Sequence, residues 1–564
     1  MRPGAVAASG ADVDSDVVIV GAGPVGSALA VDLALAGVRT TLLEQREEGQ
    51  RPHPGTNLTN IRSMEHMRRW GATPHLRASN PLGPQFARDV VFPARVDGPE
   101  VTRMKGAFDF SAPLPFASAL PHFGPQESIE RGLRARLAEL PAAAIRYSST
   151  FERFIEHGDG VEVVYRDRTG AEASVTGRYL VGCDGSRSLV RRQLGIRMEG
   201  TRGIVNATIW YVSSPELRDL IAEHLGGAVF CWFVNEDKTG VNVLAQNDDG
   251  LFQFFDCPIE DGVDGSDWEA MKERLLRAVG RDVPVEPIEG GGFQVNSVVA
   301  PEFHRGRVFL AGESAHHISV FGGFGMNTGI GDAADLGWKL AATVHGWAGP
   351  ELLASYDAER IPVVKWIRDL TEESTKHVAY TWSQPGMEAP GPEGDAIREA
   401  IGKEILAVKS AEVMSFGAQF GAAYYDSPII VSDGTRPPAA AFGAFTPSAS
   451  PGARAPHMWL EDGTSVLDHV ALQGFTLLLL DAAIDAQPFE DAAAERGIPF
   501  VVATVLNDEL RELYEADLTL IRPDHYIAWR GSAVPDDPGA VLDIARGARA
   551  AEAAAARAEA TANA

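Results

Sequence analysis

Cysteine is scarce. Three residues in 564, Cys183, Cys231 and Cys257, are too few for a disulfide framework, and no two form a Cys-x-x-Cys pair. This argues against a small disulfide-stapled secreted fold and makes a reducing cytoplasm the expected compartment. Long apolar runs are also missing. No stretch of about 18 apolar residues occurs, so no membrane span is expected. The opening MRPGAVAASGADVDSD lacks the apolar core of a signal peptide. Positive charge is in deficit: 50 Lys and Arg against 77 Asp and Glu leave a net −27. So acidic a surface opposes nucleic acid and anionic membranes as partners. No internal repeat is visible, and no metal site is expected. What remains is a globular composition, 45% hydrophobic and 23% charged, long enough for two to four domains.

The stretch from Asp16 to Arg46, DVVIVGAGPVGSALAVDLALAGVRTTLLEQR, reads as a strand, a helix and a second strand. Gly21 permits a tight turn after the first strand. Gly23 lets backbone approach a pyrophosphate, and Gly26 lets helix and strand pack closely. Pro24 and Val25 open the helix, whose N-terminus then faces the phosphates. Glu44 stands at the end of the second strand, where an acid accepts hydrogen bonds from a ribose, followed by Gln45 and Arg46. This is a dinucleotide site, and the motif alone does not separate NAD from FAD.

Further along, LTNIRSMEHMRRWG and QESIERGLRARLAEL read as helices, and residues 151–180 alternate as strands. Residues 200–300 form a β-rich region with aromatic strands. RVFLAGESAH runs from a strand into a loop, and NTGIGDAADLGWKLAATVHG is a long helix. The chain turns rich in Gly, Ala, Pro and Ser around 415–455, a linker signal, before an α/β pattern returns. The expected organisation is a tail at 1–15, a nucleotide-binding domain at 16–190 and 296–400, and an inserted β-rich domain at 191–295. A linker at 401–440, an α/β domain at 441–545 and a C-terminal tail at 546–564 follow.

Two later stretches sharpen this reading: YLVGCDGSRSLVRRQLGI at 179–196 and GRVFLAGESAHHISVFGGFGMNTGIGDAADLGWKL at 306–340. With the first loop they resemble, in order and spacing over 16–375, the group A FAD-dependent aromatic hydroxylases. The physical reading agrees. Gly312 ends a strand, so Glu313 projects at the carboxyl edge of the sheet, placed for a ribityl chain that NAD lacks. GGFGMNTG opens a long helix whose N–H groups can approach a ring that becomes negative on reduction.

The resemblance implies that Gly325, Met326 and Asn327 meet the flavin ring, with Gly323 also in the cofactor site. It places Arg62 and Gln126 near the cofactor and gives Arg46 the adenosine end. Asp184 and Arg187 would belong to a motif that serves both FAD and NAD(P)H, with Asp184 fixing the loop of the cofactor site and Arg187 or Arg191 meeting a phosphate. The reductant, NADPH or NADH, would bind transiently, since no second GxGxxG appears. Two departures stand out. Glu313 replaces the usual Asp, and Ser319-Val320 replaces the usual Pro-Pro step. His316, His317 and Ser319 are candidate catalytic groups, the histidines as bases near neutral pH. Trp210, Phe233 and Phe293 are candidate substrate-pocket walls.

The C-terminal part resembles the thioredoxin-like domain of the phenol-hydroxylase branch. It has no cysteine, so it cannot run disulfide exchange, and Trp529 is expected in its core. The fold expected is therefore α/β: a Rossmann-like FAD domain, an inserted β-rich substrate domain and a thioredoxin-like domain. The activity implied is hydroxylation, with O2 through a flavin hydroperoxide, of a phenol-like or hydroxypyridine-like small molecule. Baeyer–Villiger insertion or epoxidation on the same scaffold, and a non-catalytic FAD-binding redox sensor, remain the alternatives. A halogenase is disfavoured by the lack of a WxWxIP-like stretch. The assembly is left open, a homodimer included.

Overall fold

Val17, Val18 and Ile19 have no exposed surface because strand β1 (Ser15–Val20) runs through the middle of a largely parallel sheet. The computed structural model describes residues 13–83, 86–109, 112–374 and 379–548. The parts of the expected tails at 1–12 and 549–564 lie outside the described residues. Helix α1 (Pro24–Leu35) leaves β1 through the glycine loop and leads to β2 (Thr40–Leu43), which pairs parallel with β1. Helices α2 (Ile61–Arg69) and α3 (Gln126–Leu137) follow. On its other side β1 pairs parallel with β3 (Glu172–Gly182). The strands at Thr150–Glu156 and Val161–Arg166 hang antiparallel from β3, as the alternation over 151–180 predicts.

The second sheet has eight strands. Its centre is β4 (Glu199–Ser213), β5 (Val241–Ala245), β6 (Leu251–Asp256) and β7 (Glu286–Val299), with β4 between β6 and β7. The boundaries expected at 191–295 are corrected at both ends. Ala87–Pro93 joins this sheet by pairing parallel with Ala228–Trp232, and Glu100–Met104 pairs with Ala87–Pro93 in turn. His316–His317 adds to the edge of β7. Two helices, Pro215–Leu225 and Trp268–Val279, cover one face. Their signals were in the sequence: Ser214 and Asp267 cap the starts, and Gly226 and Gly280 end them in the left-handed conformation.

The chain returns to the first sheet through β8 (Val308–Leu310), parallel to β3. The long helix α4 (Phe324–Val344) then packs along α1. The approach is close. A Cβ at Gly329 would meet the Val25 side chain at 2.6 Å and one at Gly337 the Asp32 carboxylate at 2.3 Å. Helix α5 (Ser355–Ser374) comes next. The linker expected at 401–440 is corrected. Residues 401–413 belong to helix α6 (Pro392–Val413), whose Ile401 and Ile405 pack with Val101, Trp232 and Trp382. After a short helix at Phe416–Phe420, Tyr424, Ile429 and Ile430 are buried. The small residues around them carry the linker signal, yet these apolar side chains anchor the segment to the cores.

The C-terminal domain is α/β, as expected, and is built on a mixed four-stranded sheet in the order Phe500–Thr504, Phe475–Leu479, Leu518–Ile521, Ile527–Gly531. Trp529 lies in its core, which also takes in Trp338 of α4. A buried ionic group seals this junction. Lys339 Nζ lies 2.8 Å from Asp335 and 2.6 Å from Glu359, and Arg522 of the C-terminal domain bonds Asp335, Glu359 and Asp524. Lys339 and Arg522 hold Glu359 below the usual carboxylate range despite its burial. Arg454 closes a second bridge onto Glu65 of α2. No helix among the described residues is long and apolar enough to cross a membrane.

Candidate functional site

The first loop shows why it is glycine-rich. At Gly21 (φ +100°) a Cβ would stand 2.3 Å from the Cys183 carbonyl oxygen, and at Gly26 it would stand 2.0 Å from that of Gly21. These two glycines allow strand, loop and helix to touch. Gly23 differs: nothing lies within 4 Å of where its Cβ would be, so its backbone borders open space at the start of α1. The first-turn N–H groups of α1 have no intrahelical acceptor and face that space, which suits a pyrophosphate.

Glu44 accepts from the Ala22 N–H at 3.0 Å and, through the other oxygen, from the Arg46 N–H at 3.0 Å. The Arg46 guanidinium adds bonds of 3.1 and 3.2 Å to the same carboxylate and reaches Glu130 at 3.0 Å. Burial works to raise the Glu44 carboxyl, but these bonds and the Arg46 charge leave it below its ordinary value, so it is ionised at neutral pH. A carboxylate offers about four acceptor positions, and all four are taken. A ribose hydroxyl therefore reaches Glu44 only as Arg46 yields part of its hold. Gln45 is exposed beside it. Gln126, the first residue of α3, lies so close to Gly55 that a Cβ there would meet its Oε1 at 1.9 Å.

The second half of the groove begins where β8 ends. Gly312 (φ +63°) approaches Val25 of α1 and donates its N–H to Asp332 at 3.0 Å. Glu313, next in line, has no side-chain hydrogen bond among the described residues. Surrounding protein pushes its carboxyl above the usual range although its surface is open to solvent. An unoccupied acceptor at this strand end suits a ribityl hydroxyl. Gly322 (φ +82°) and Gly323 (φ +68°) turn the chain into α4 in the left-handed conformation. The Cβ direction of Gly325 is open, and Met326 is half-buried against the core. Asn327 fixes the facing segment: its Oδ1 accepts from Asn60 N at 2.9 Å and its Nδ2 donates to the Leu58 carbonyl at 2.9 Å. Glycine backbone, two helix starts and two strand-end acids thus gather at the carboxyl edge of the first sheet, the donor and acceptor set that FAD requires.

Several expected sites are corrected. Arg62 is buried, its guanidinium bonding Glu65 and the Asp524 carbonyl and so tying α2 to the C-terminal domain, and it borders one cavity with Asn60, Phe324 and Asn327. Arg191 is buried on the Ser314 and Ser186 carbonyls and is unavailable to NAD(P)H, whereas Arg187 is exposed. Asp184 does fix its loop, accepting from Ser188, Ser314 and the N–H groups of Leu189 and Val190.

His316 is sealed against Phe303, with Nε2 2.7 Å from Asp332, so it positions the turn and has no path to a substrate. Burial, with Arg191 and His316 nearby, lowers His317 to about 4, which makes it a weak base near neutrality. Ser319 is buried, while Val320 is exposed. Trp210 and Phe233 lie under the two covering helices in a core with Leu217 and Met271, on the face of the second sheet away from the groove. The pattern β-strand alternation predicts explains this, since neighbours on a strand face opposite ways. Phe293 is on the other face, 6.4 Å from Phe255, and stays a candidate wall.

Asp332, not among the sequence candidates, joins Gly312, His316 and Arg360 and is held down to about 2. Burial there acts to raise it, and the Arg360 charge with the two side-chain bonds prevails. The sequence signal was a pair of acids, Asp332 and Asp335, within a helix of mostly small and apolar residues.

The model for the FAD binding domain matches residues 14–371, well over half the chain. The chain belongs to the FAD-dependent aromatic monooxygenases. Residues 448–548 match the C-terminal domain of aromatic-ring hydroxylases. The enzyme is 30% identical to the FAD-dependent monooxygenase opdD of Penicillium oxalicum, over 72% of this chain and 81% of that protein. It is 28% identical to the 4-methyl-5-nitrocatechol 5-monooxygenase of a Burkholderia species, over 94% and 96%. Among solved structures, the rebeccamycin biosynthetic enzyme RebC with reduced flavin superposes with a TM-score of 0.85 at 35% identity, covering 95% of this chain and 99% of that one.

Proposed function

We propose that this monooxygenase uses NADPH or NADH and O2 to hydroxylate an aromatic ring bearing a hydroxyl or an equivalent donor, such as a phenol or hydroxypyridine. The observation that carries this reading is the meeting of the FAD groove with the second sheet: Asn57, one residue before the segment held by Asn327, hydrogen-bonds Gln246 and Gln253 on that sheet's inner face. When bound, FAD would carry electrons from NADPH or NADH to O2 and so supply oxygen in an activated form. The chain's residues hold it at the two strand ends, direct helix-start N–H groups at a ring that gains charge, and exclude water under the second sheet. Exposed Arg187 is the group proposed to meet the phosphate of the reductant.

Flavin reduction by NADPH should be slow alone and faster with the right aromatic, because the sequence has no second GxGxxG to hold the reductant in place. Rapid-mixing spectra across a phenolic panel, with product mass read for one added oxygen, test this. Equal reduction rates with a confirmed substrate present and absent would reject the coupling.

The Ser319-Val320 step is proposed to loosen the loop beside the ring. Val320 sits at φ −68°, a value proline shares, so Val320→Pro fits the backbone there. Ser319 is buried, and a following proline restricts its backbone. The Ser319→Pro/Val320→Pro double variant should keep FAD but alter coupling and the pH profile of hydroxylation. An unchanged profile would make the step a neutral replacement.

A further inference from the structure

The inner face of the second sheet carries a row of hydrogen-bonding groups that the fold leaves incomplete. Gln246 is buried, and its Nε2 donates to Asn57 Oδ1 at 2.9 Å and to the Leu244 and Ala245 carbonyls at 3.2 and 3.3 Å. Three acceptors around one nitrogen fix the amide's orientation, so Oε1 is the end left without a donor. Asn57 Nδ2 donates to Gln253 Oε1 at 3.0 Å, which leaves the Gln253 amide nitrogen as a donor. Tyr211 is opposite Gln253 in the β4–β6 register, so the two share a face. Its ring is buried under the Arg51 guanidinium at 5.6 Å, and its hydroxyl has no partner. A buried carbonyl and a buried hydroxyl without partners are costly and uncommon in a native fold. Their neighbours on the same face, Leu244 and Phe255, are apolar.

Resting on the monooxygenase reading above, we propose that Gln246, Gln253 and Tyr211 are the substrate-orienting groups, and that they select an aromatic carrying both a hydroxyl and a carbonyl. The hydroxyl donates to Gln246 Oε1; the carbonyl accepts from Tyr211 or Gln253. Asn57 links this row to the cofactor groove. It binds both glutamines and precedes Leu58, whose carbonyl is held by Asn327 at the start of α4. A ligand that engages the row therefore acts one residue from the ring cradle, which gives substrate-stimulated reduction a physical route.

The test uses the FAD-loaded full-length enzyme with para-hydroxyacetophenone and its methyl ether, binding being read from the change in the flavin spectrum. Tyr211→Phe removes only a hydroxyl that no protein group uses, so it should keep the melting temperature and FAD content. Gln246→Leu serves as the second variant. Each should weaken binding of the hydroxy ketone about tenfold, and the loss in Tyr211→Phe should be confined to ligands that carry the carbonyl. The methyl ether, lacking the donor, should bind the wild type about tenfold more weakly. Equal binding of the two probes, wild-type affinity in both variants, or no binding to the wild type overturns the assignment. Loss of NADPH oxidation in the wild type itself would instead strike the monooxygenase reading, which the binding titration does not depend on.

Discussion

Lowering the pH from 7 toward 5 should reduce the melting temperature steeply, with the fall beginning near 6.5. Four buried histidines, His66, His122, His457 and His525, dictate most of this, and His317, held at about 4, adds to it. Burial foremost, and then neighbouring arginines, lowers His122 and His457 to about 4 and His66 and His525 well below their ordinary 6.5. In the unfolded chain each takes a proton below 6.5; in the native protein each refuses it. Their contribution is fully present above 6.5 and is lost as the pH falls toward the native values. One unit below 6.5, each costs about 1.4 kcal/mol, and the four together about 5–6 kcal/mol. That is of the order of a domain's whole stability.

His66 and His525 stack 6.1 Å apart, with Arg62 and Arg69 close by, so added charge there strains the contact between α2 and the C-terminal domain. Glu65 and Asp332, at about 2, add a further loss only below the ordinary carboxylate range. Asp32 and Asp256, raised by burial, work the other way at the acid end. Scanning calorimetry of the holoprotein at stepped pH checks the prediction, and a flat melting temperature between 7 and 5 would refute it.

Glu44→Ala should lower FAD affinity roughly 10- to 150-fold, the 1.5–3 kcal/mol expected of a charge-assisted hydrogen bond. The carboxylate also holds the Ala22 N–H and the Arg46 guanidinium, so its loss frees the loop as well as the ribose contact. Arg46→Ala separates the two roles. It vacates acceptor positions on Glu44 but removes a group that bonds Glu130 too. Equilibrium titration of the apoprotein with FAD reads both variants, and a Glu44→Ala protein that binds as tightly as wild type would remove Glu44 from the ribose.

Much of this architecture is legible in the sequence, for reasons particular residues make plain. Gly21, Gly26 and Gly312 sit where a Cβ meets backbone or Val25, so the chemistry of the groove leaves a compositional mark. The β1–α1–β2 unit and the strands at 151–180 are local patterns, and period and punctuation suffice for them. What was not legible depended on distant partners. Arg62 and Arg191 have the residue type of ligand contacts, and only long-range neighbours, Asp524 and Ser314, commit them elsewhere. Trp210 and Phe233 have the right character for a pocket wall, but which face of a strand meets the groove is set by the covering helices at 215–225 and 268–279. The Gln246, Asn57 and Gln253 row joins residues up to 196 positions apart and has no sequence signature.

The junction around Arg522 bears on how such enzymes can be recombined. Lys339, Asp335 and Glu359 come from one part of the chain and Arg522 and Asp524 from another, all without exposed side-chain surface to speak of. A graft that replaced the C-terminal domain without an arginine at position 522 would leave two carboxylates facing one ammonium in a dry interior, which is strongly destabilising. The unit of exchange between relatives is thus not a domain but a domain together with the charges it contributes across its border. Chimeras cut between 420 and 448 should survive only when donor and recipient share that five-residue charge pattern.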